Sequence, residues 1–212
     1  MNRTQIVVIA KEPVPGKVKT RLVPPLTPDE AAAVAGAALE DTLRTVAGVP
    51  VVRRVLVLDG APGTWLPAGF TVLPQRGRGL DERLAAAFED AHRLLPVPVV
   101  LIGMDTPQVT PDLLADAVAL LDGRDAVFGP ANDGGFWLLG LREPDPALLL
   151  GVPMSEPDTG EVQRRRMEEA GLSVASLPCL TDVDTMADAI EVAALAPRSR
   201  YAAALAGTGT RL

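Results

Sequence analysis

The amino-acid sequence predicts an α/β fold of three layers, α/β/α, with a mainly parallel central sheet and a small antiparallel part. Short β-branched segments alternate with longer helical segments through the first part of the chain. These short segments are continuously apolar, as expected for strands buried on both faces. An alternation of strands and helices implies right-handed crossovers, which place successive strands parallel.

The individual elements of the parallel part follow from composition and from helix-start signals. Thr27 and Thr110 each precede a Pro-Asp pair, and this pattern is typical of a helix that begins with a capping hydroxyl and with Pro at its first position. We expect helices at 28–47, 80–95 and 110–122, and strands at 5–10, 51–59, 70–74, 97–104 and 125–131.

The pattern changes after Gly134-Gly135. The strand FWLLGL (136–141) follows its predecessor after a turn too short for a crossover helix, so it either runs antiparallel or belongs to a second small sheet. A helix at 159–171, a strand at 173–178 and a helix at 186–196 complete the predicted fold. The last residues, GTGTRL, have the composition of a frayed tail.

Length and charge limit the class of protein. The 212 residues suit one domain spanning 1–212. A net charge of −7 disfavours a nucleic-acid partner, which would require a broad basic surface. The single cysteine, Cys179, excludes an internal disulfide and fits a reducing compartment; we expect it to pack in the core near a strand end. The N-terminal apolar run is too short for a signal peptide or a membrane span, so we expect a cytoplasmic protein without a membrane partner. The oligomeric state stays open.

A basic cluster interrupts this acidic chain directly after the first predicted strand. Lys11, Lys17, Lys19 and Arg21 lie on one Pro/Gly-rich loop, where they repel one another. An anionic partner would explain them, and Gly16 would let the backbone take a positive φ close to such a ligand. Because Lys17, Lys19 and Arg21 alternate, an extended loop would direct them to one side. The alternative is a solvated charged loop without a ligand.

Carboxylates follow two other predicted strands. Asp105 in GMDTP comes directly after a buried strand, where it suits Mg²⁺ shared with phosphates or, alternatively, a turn cap. Asp182 and Asp184 in TDVDT lie two apart and share a face if the segment is extended, although Asp184 or Thr185 also suits a helix N-cap. Ligands of open α/β sheets bind beyond the carboxyl ends of the strands, so these groups and the basic loop together favour a nucleoside triphosphate with a bridging divalent ion.

Other classes of site are disfavoured. The opening loop lacks the pattern of a Walker A motif, and the glycine fingerprint of dinucleotide-binding domains is absent from the sequence. His92 is the only histidine, which argues against histidine-based triads and zinc sites.

Five segments in order carry a resemblance to a known family: AKEPVPGKVKTRL, GLDERLAAAF, GMDTPQVTPDLL, GPANDGGFWLLGL and LPCLTDVDTMAD. Together they resemble the bacterial DUF2064 family, which belongs to the nucleotide-diphospho-sugar transferase superfamily and is similar to the molybdenum-cofactor and phospholactate guanylyltransferases. The resemblance covers residues 5 to about 195. It implies the GT-A fold, with a Rossmann-like central sheet.

The resemblance also implies roles for individual residues. The Gly16–Arg21 loop matches the phosphate-cradling loop of the superfamily, with Lys19 and Arg21 as catalytic triphosphate contacts and Lys11 and Lys17 beside them. Asp105 and Asp184 match two metal ligands for Mg²⁺ or Mn²⁺, and Asp105 also counts as catalytic. Residues Asp133, Gly134 and Gly135 match the acceptor-binding segment. Base recognition does not transfer, because Pro13 and Pro15 depart from the usual glycine-rich loop, and roles for Arg78 and Asp81 stay open.

The leading functional hypothesis is nucleotidyl transfer, in which a small phosphorylated or carboxylated acceptor attacks an NTP and pyrophosphate leaves. The alternative is glycosyl transfer from a nucleotide-sugar, and a third possibility is a non-catalytic nucleotide-binding protein. Several cations on the first loop suit a triphosphate, whereas GT-A glycosyltransferases typically use an Asp-x-Asp pair where this sequence has Met-Asp-Thr. Phe136 and Trp137 either line the acceptor pocket or belong to the core.

Overall fold

The computed structural model describes residues 2–209. Within this range the strands are β1 (Asn2–Lys11), β2 (Val51–Asp59), β3 (Phe70–Pro74), β4 (Val99–Ile102), β5 (Ala126–Pro130), β6 (Phe136–Leu141) and β7 (Val174–Ser176). The α-helices are α1 (Pro28–Ala47), α2 (Leu80–Leu94), α3 (Pro111–Leu120), α4 (Thr159–Glu169), α5 (Met186–Leu195) and α6 (Arg200–Gly207). Short 3₁₀ helices lie at Thr20–Leu22 and Pro146–Leu148.

All seven strands form one sheet in the order β3-β2-β1-β4-β6-β5-β7. The pairs among β1 to β4 are parallel, and so is the pair β5–β7. Strand β6 lies between β4 and β5 and is antiparallel to both. The antiparallel prediction for residues 136–141 is therefore confirmed, and the alternative of a second sheet is wrong.

Helices cover both faces of the sheet, which confirms the three-layer prediction. On one face α1 and α3 pack against a core that includes Ile6, Leu56 and Ile102. On the other face α2 and α4 pack against a core that includes Val7, Val57 and Leu101. Neighbouring strand residues thus alternate between the two cores, and this is why the central strands are apolar throughout.

The helix starts follow the predicted caps. Thr27 accepts a hydrogen bond from the Glu30 amide and forms a capping box with its side chain, and Thr110 accepts from the Leu113 amide. Thr185 caps α5 in the same way as Thr27 caps α1, with Asp188 as its partner. This result decides between the two predicted caps of α5 in favour of Thr185.

A third, smaller core joins the C-terminal helices to the rest of the fold. Helices α5 and α6 pack on α1 through fully buried side chains that include Tyr201 and Leu205. The same core contains Leu22 and Leu26 of the loop after β1, and Val183 of the segment before α5. We call this set the C-terminal core. Helix α6 was not predicted. The predicted frayed tail begins at Gly207, which is the last residue of this helix, and residues 210–212 of the tail lie outside the described residues.

None of the helices in residues 2–209 is long and apolar enough to cross a membrane.

Candidate functional site

A cleft of about 780 Å³ opens at the edge of the sheet where the parallel strands end. The residues that follow β1, β4 and β5 line it, as do the first residues of the antiparallel strand β6. This is the position at which open α/β sheets bind their ligands. The cations that line it are Lys11, Lys17, Lys19, Arg21, Arg78 and Arg83, and the acids are Asp105, Asp133, Glu156, Asp182 and Asp184.

The basic loop reaches this cleft by turns and not by an extended path. Gly16 has a φ of 76°, which confirms the predicted positive φ, and Lys19 also lies in the left-handed region with a φ of 47°. A 3₁₀ helix then begins at Thr20. The expectation of an extended loop was wrong, but Lys17, Lys19 and Arg21 still line the same cleft.

Lys19 lies at the bottom of the cleft, with a side chain that is only 7% exposed. Its ammonium group pairs with Asp105 at 2.5 Å and donates a hydrogen bond to the carbonyl of Val183. Burial alone would lower the pKa of Lys19, but the carboxylates of Asp105, Asp182 and Asp184 outweigh that effect and raise it. Lys19 is therefore charged, and it joins the loop after β1 to the two acidic segments.

The other three cations of the basic loop are more accessible. Arg21, 70% exposed, pairs with Asp184 at 2.5 Å. Lys11 and Lys17 are exposed, and their ammonium groups have no ion-pair partner among residues 2–209. The loop thus presents one buried and paired cation, one exposed and paired cation, and two that are free to meet an anion.

The segment after β7 carries Asp182 and Asp184 across the edge of the sheet. Leu180 pairs with Ala131 beyond β5, and the Val183 amide donates to the Asp105 carbonyl beyond β4 at 3.0 Å. Thr181 fixes the segment between them, because its carbonyl accepts from Gln108 and its hydroxyl accepts from Asn132. The segment thereby brings the end of β7 next to the end of β4.

Three carboxylates come together beside this segment. Oxygens of Asp133, Asp182 and Asp184 lie within 4.8 Å of one another, and we call these three residues the acidic cluster. Burial raises the pKa of Asp182 to about 8, and Asp105, Asp184 and Asp133 act in the same direction against the opposing effect of Lys19. The predicted shared face of Asp182 and Asp184 is confirmed.

The residues of the predicted metal pair, Asp105 and Asp184, lie in different surroundings, and their binding of a metal ion stays a prediction. Asp184 belongs to the acidic cluster, whereas Asp105 is held by Lys19 and lies outside it. Asp133 lies inside the cluster, and its contact with an acceptor stays a prediction. Sequence spacing does not encode this arrangement, because the position of Asp133 depends on the turn between β5 and β6.

That turn also assigns different roles to its two glycines. Gly134 has a φ of 89°, and a Cβ atom there would lie 1.8 Å from the Pro157 carbonyl oxygen. Backbone packing against the start of α4 thus explains why this residue is a glycine, and its predicted acceptor contact stays a prediction. Gly135 does line the cleft, and its amide donates to Asp133 at 2.9 Å.

The sequence matches one described protein family. A family model described as an uncharacterized protein conserved in bacteria, DUF2064, matches residues 42–156, which is more than half of the chain. The chain belongs to the DUF2064 family.

This DUF2064 protein is similar to a curated enzyme in sequence and to solved structures in fold. A phosphoenolpyruvate guanylyltransferase of Sphaerobacter thermophilus is 29% identical over 186 residues, which cover 84% of this chain and 88% of the relative. A crystal structure from Desulfovibrio desulfuricans G20, assigned to the nucleotide-diphospho-sugar transferases, superposes with a TM-score of 0.89 at 30% identity, covering 99% and 96% of the two chains. The Mycobacterium tuberculosis protein Rv0371C, in complex with manganese, shares the fold with a TM-score of 0.51 at 18% identity, covering 90% and 97%. The predicted GT-A fold is confirmed.

Arg78 of this DUF2064 protein is a cleft residue to which the sequence assigned no role. It lines the cleft from the loop between β3 and α2, and its guanidinium has no partner within the described residues. Gly77, with a φ of 115°, and the bond from the Arg78 amide to Glu82 fix this loop. The sequence does contain one signal for this cleft residue, namely an arginine that follows a glycine in the loop between a strand and a helix.

Two further predictions concern the aromatic pair at the start of β6 and the single cysteine. Trp137 is buried and donates its indole N–H to the Pro178 carbonyl, so it belongs to the core, although it also borders the cleft. Phe136 is half-buried and lines the cleft. Cys179 is exposed, and its thiol lies 2.8 Å from the side-chain oxygen of Asn132, so the expectation of a core cysteine was wrong.

Proposed function

We propose that the protein is a divalent-metal-dependent nucleotidyltransferase that joins an NTP to a small acidic acceptor and releases pyrophosphate. One observation carries the proposal: a single cleft holds free cations on the loop after β1 and a three-carboxylate cluster opposite them. A triphosphate needs the cations, and a bridging metal ion needs the carboxylates. The similarity to a guanylyltransferase supports nucleotidyl transfer, with GTP and phosphoenolpyruvate as the first substrates to test.

The acidic cluster fits a divalent ion by its chemistry. It offers three carboxylate oxygens, which are the ligands that Mg²⁺ and Mn²⁺ prefer. The pKa of Asp182 is raised first by burial and then by the negative charge of the neighbouring carboxylates, which the nearby Lys19 offsets only in part. Asp133, Asp182 and Asp184 would hold the ion, which would supply positive charge to offset the negative charge of the triphosphate. The manganese complex of Rv0371C, a protein of the same fold, supports a divalent ion as the cofactor.

The protein itself would contribute position and charge. In the reaction an acceptor oxygen forms a bond to the α-phosphorus, and the bond from that phosphorus to the bridging oxygen of the β-phosphate breaks. This chemistry requires no protein nucleophile, because alignment and neutralisation of charge supply most of the rate. Lys11, Lys17 and Arg21 would hold the leaving pyrophosphate, while Lys19 would keep Asp105 and the acidic cluster in place.

A pyrophosphate-release assay tests the proposal. The purified protein is mixed with Mg²⁺, each of the four NTPs in turn, and phosphoenolpyruvate or another small phosphorylated or carboxylated acceptor. We expect pyrophosphate that depends on both the acceptor and the metal. Asp184→Asn should abolish it, while Asp116→Asn on the exposed face of α3 should not. Sugar transfer from a nucleotide-sugar, with no pyrophosphate from any NTP, would instead identify a glycosyltransferase.

A further inference from the structure

Asp184 belongs to an ion pair and, at the same time, to the acidic cluster. Its Oδ2 atom pairs with the guanidinium of Arg21 at 2.5 Å, and the same carboxylate belongs to the acidic cluster. A guanidinium bound to a carboxylate repels a second cation at that carboxylate. Arg21 and a divalent ion therefore compete for Asp184.

Arg21 also faces two competing anions. It lines the cleft beside Lys17, whose ammonium group has no ion-pair partner within residues 2–209. Phosphate oxygens carry more charge than a carboxylate and suit the fork of a guanidinium. A triphosphate in the cleft would draw Arg21 away from Asp184.

We propose that the ion pair of Arg21 and Asp184 makes the divalent ion and the triphosphate bind cooperatively. The ion, by binding Asp184, releases Arg21 for the triphosphate, and the triphosphate, by binding Arg21, releases Asp184 for the ion. The inference rests on the proposed function, since it takes both ligands from it. The exchange is feasible because the pair is accessible: the side chains of Arg21 and Asp184 are 70% and 38% exposed. Exposed ion pairs contribute little stability and separate easily. Lys19 is unsuited to such an exchange, because it is buried against Asp105 and the Val183 carbonyl.

The first test measures the metal alone, without any phosphate. Mn²⁺ binding is followed by electron paramagnetic resonance at 0.15 M salt for the wild type, Arg21→Ala and Lys17→Ala. We expect Arg21→Ala to bind Mn²⁺ about three- to fivefold more tightly, which is the range that exposed ion pairs allow. Lys17→Ala is the matched control: it removes one positive charge from the same cleft but breaks no ion pair, and its affinity should change less than about twofold.

The second test measures the anion alone, without any metal. Inorganic tripolyphosphate is titrated by calorimetry in EDTA, so that no metal complex of the anion forms. By reciprocity, Asp184→Asn should bind tripolyphosphate about three- to fivefold more tightly than the wild type, because Arg21 is then free. Asp133→Asn removes the same charge from the same acidic cluster but does not release Arg21, and it should give a smaller gain.

Each result is decisive for the exchange. An unchanged or weaker Mn²⁺ affinity in Arg21→Ala would overturn it, and so would equal effects of each variant and its control, since these indicate general electrostatics. Circular dichroism of all variants excludes misfolding. Neither test requires the acceptor or turnover. Failure of the pyrophosphate assay, with both gains in affinity observed, would therefore contradict only the proposed reaction.

Discussion

Lys19 and Arg21 lie two residues apart on one loop, but their surroundings differ greatly. Lys19 is enclosed and bonded to groups from two distant segments, whereas Arg21 extends along the surface. Removal of a buried partner leaves a charge without compensation, and removal of an exposed partner does not. The first residue therefore maintains the site, and the second is available to ligands.

Urea denaturation should separate the two roles. We expect Lys19→Ala to lower the free energy of unfolding by about 2 kcal/mol, because Asp105 and the Val183 carbonyl lose a charged hydrogen-bond donor. Arg21→Ala, as the matched change on the exposed side, should alter it by less than about 0.5 kcal/mol. Similar losses for both variants would contradict the difference in their environments.

Asp182 gives the metal-free protein a defined pH dependence. Its pKa is raised to about 8 in the folded state, so between about pH 4 and 8 the folded protein keeps a proton on Asp182 that the unfolded chain releases. This contribution favours the folded protein at low pH and is lost as the pH rises from about 4 to 8. Asp182→Asn, which imitates the protonated form, should therefore be more stable than the wild type at pH 8 in EDTA, by about 1–3 kcal/mol.

The check is a series of thermal unfolding curves between pH 4 and 9. The advantage of Asp182→Asn should shrink toward pH 4, where the wild-type carboxyl group is protonated as well. The exposed Asp133→Asn serves as the control and should show a weaker trend. An advantage of Asp182→Asn that grows toward low pH would reverse the sign and disprove the assignment.

At the scale of single residues, the sequence predicted which side chains meet but not how they pair. Lys17, Lys19, Arg21, Asp105 and Asp184 all reach one cleft, because parallel strands end at one edge of the sheet. The partners depend on details that spacing does not encode. The left-handed backbone of Lys19 turns its side chain inward, and the burial of Asp182 arises from a segment that crosses from β5 to β4.

At the scale of elements, the turn between β5 and β6 joins two parts of the fold. Gly134 faces the Pro157 backbone, and its carbonyl accepts from the Gly160 amide at 2.7 Å. The turn therefore fixes the start of α4 while its next residue, Gly135, faces the cleft.

A pair of alanine variants tests this packing. Gly134→Ala should cost about 3 kcal/mol or more, because a positive φ and a Cβ clash with backbone act together. Gly16→Ala has the same need for a positive φ, but open space surrounds its Cβ, so a loss near 1 kcal/mol is expected. Chemical denaturation measures both. A Gly134→Ala protein as stable as Gly16→Ala would show that the contact with Pro157 is not tight.

Element boundaries were predictable where local chemistry sets them. The caps at Thr27, Thr110 and Thr185 lie in the sequence itself, and the helices begin where they indicate. Helix α6 was missed because it has only eight residues and an alanine-rich composition that resembles a tail. Its helical structure is stabilised by burial of Tyr201 and Leu205 against α1, which is a tertiary effect.

At the scale of the whole molecule, the C-terminal core supports both halves of the site. Leu22 and Leu26 anchor the basic loop in it, and Val183 anchors the segment between Asp182 and Asp184. These groups come from opposite ends of the chain. Their relative position therefore depends on helices that do not line the cleft.

A cavity in this core should affect the site at a distance. Leu205→Ala, at a fully buried position, should lower stability by about 2–5 kcal/mol. It should also weaken Mn²⁺ binding, because Val183 packs in the same core. Leu195→Ala, at a position that is 64% exposed, is the control and should leave both stability and metal affinity nearly unchanged. Loss of stability with full metal affinity would restrict the core to a purely structural role.

The position of β6 has a consequence for the synthesis of the chain. It is the sixth strand in sequence, yet it separates β4 from β5 in the sheet. Until the ribosome has released residues 136–141, β4 has an unpaired edge with apolar side chains on both faces, and such edges pair readily with other chains. We therefore expect the emerging N-terminal part, although it already carries the basic loop and Asp105, to be prone to aggregation until β6 completes the sheet.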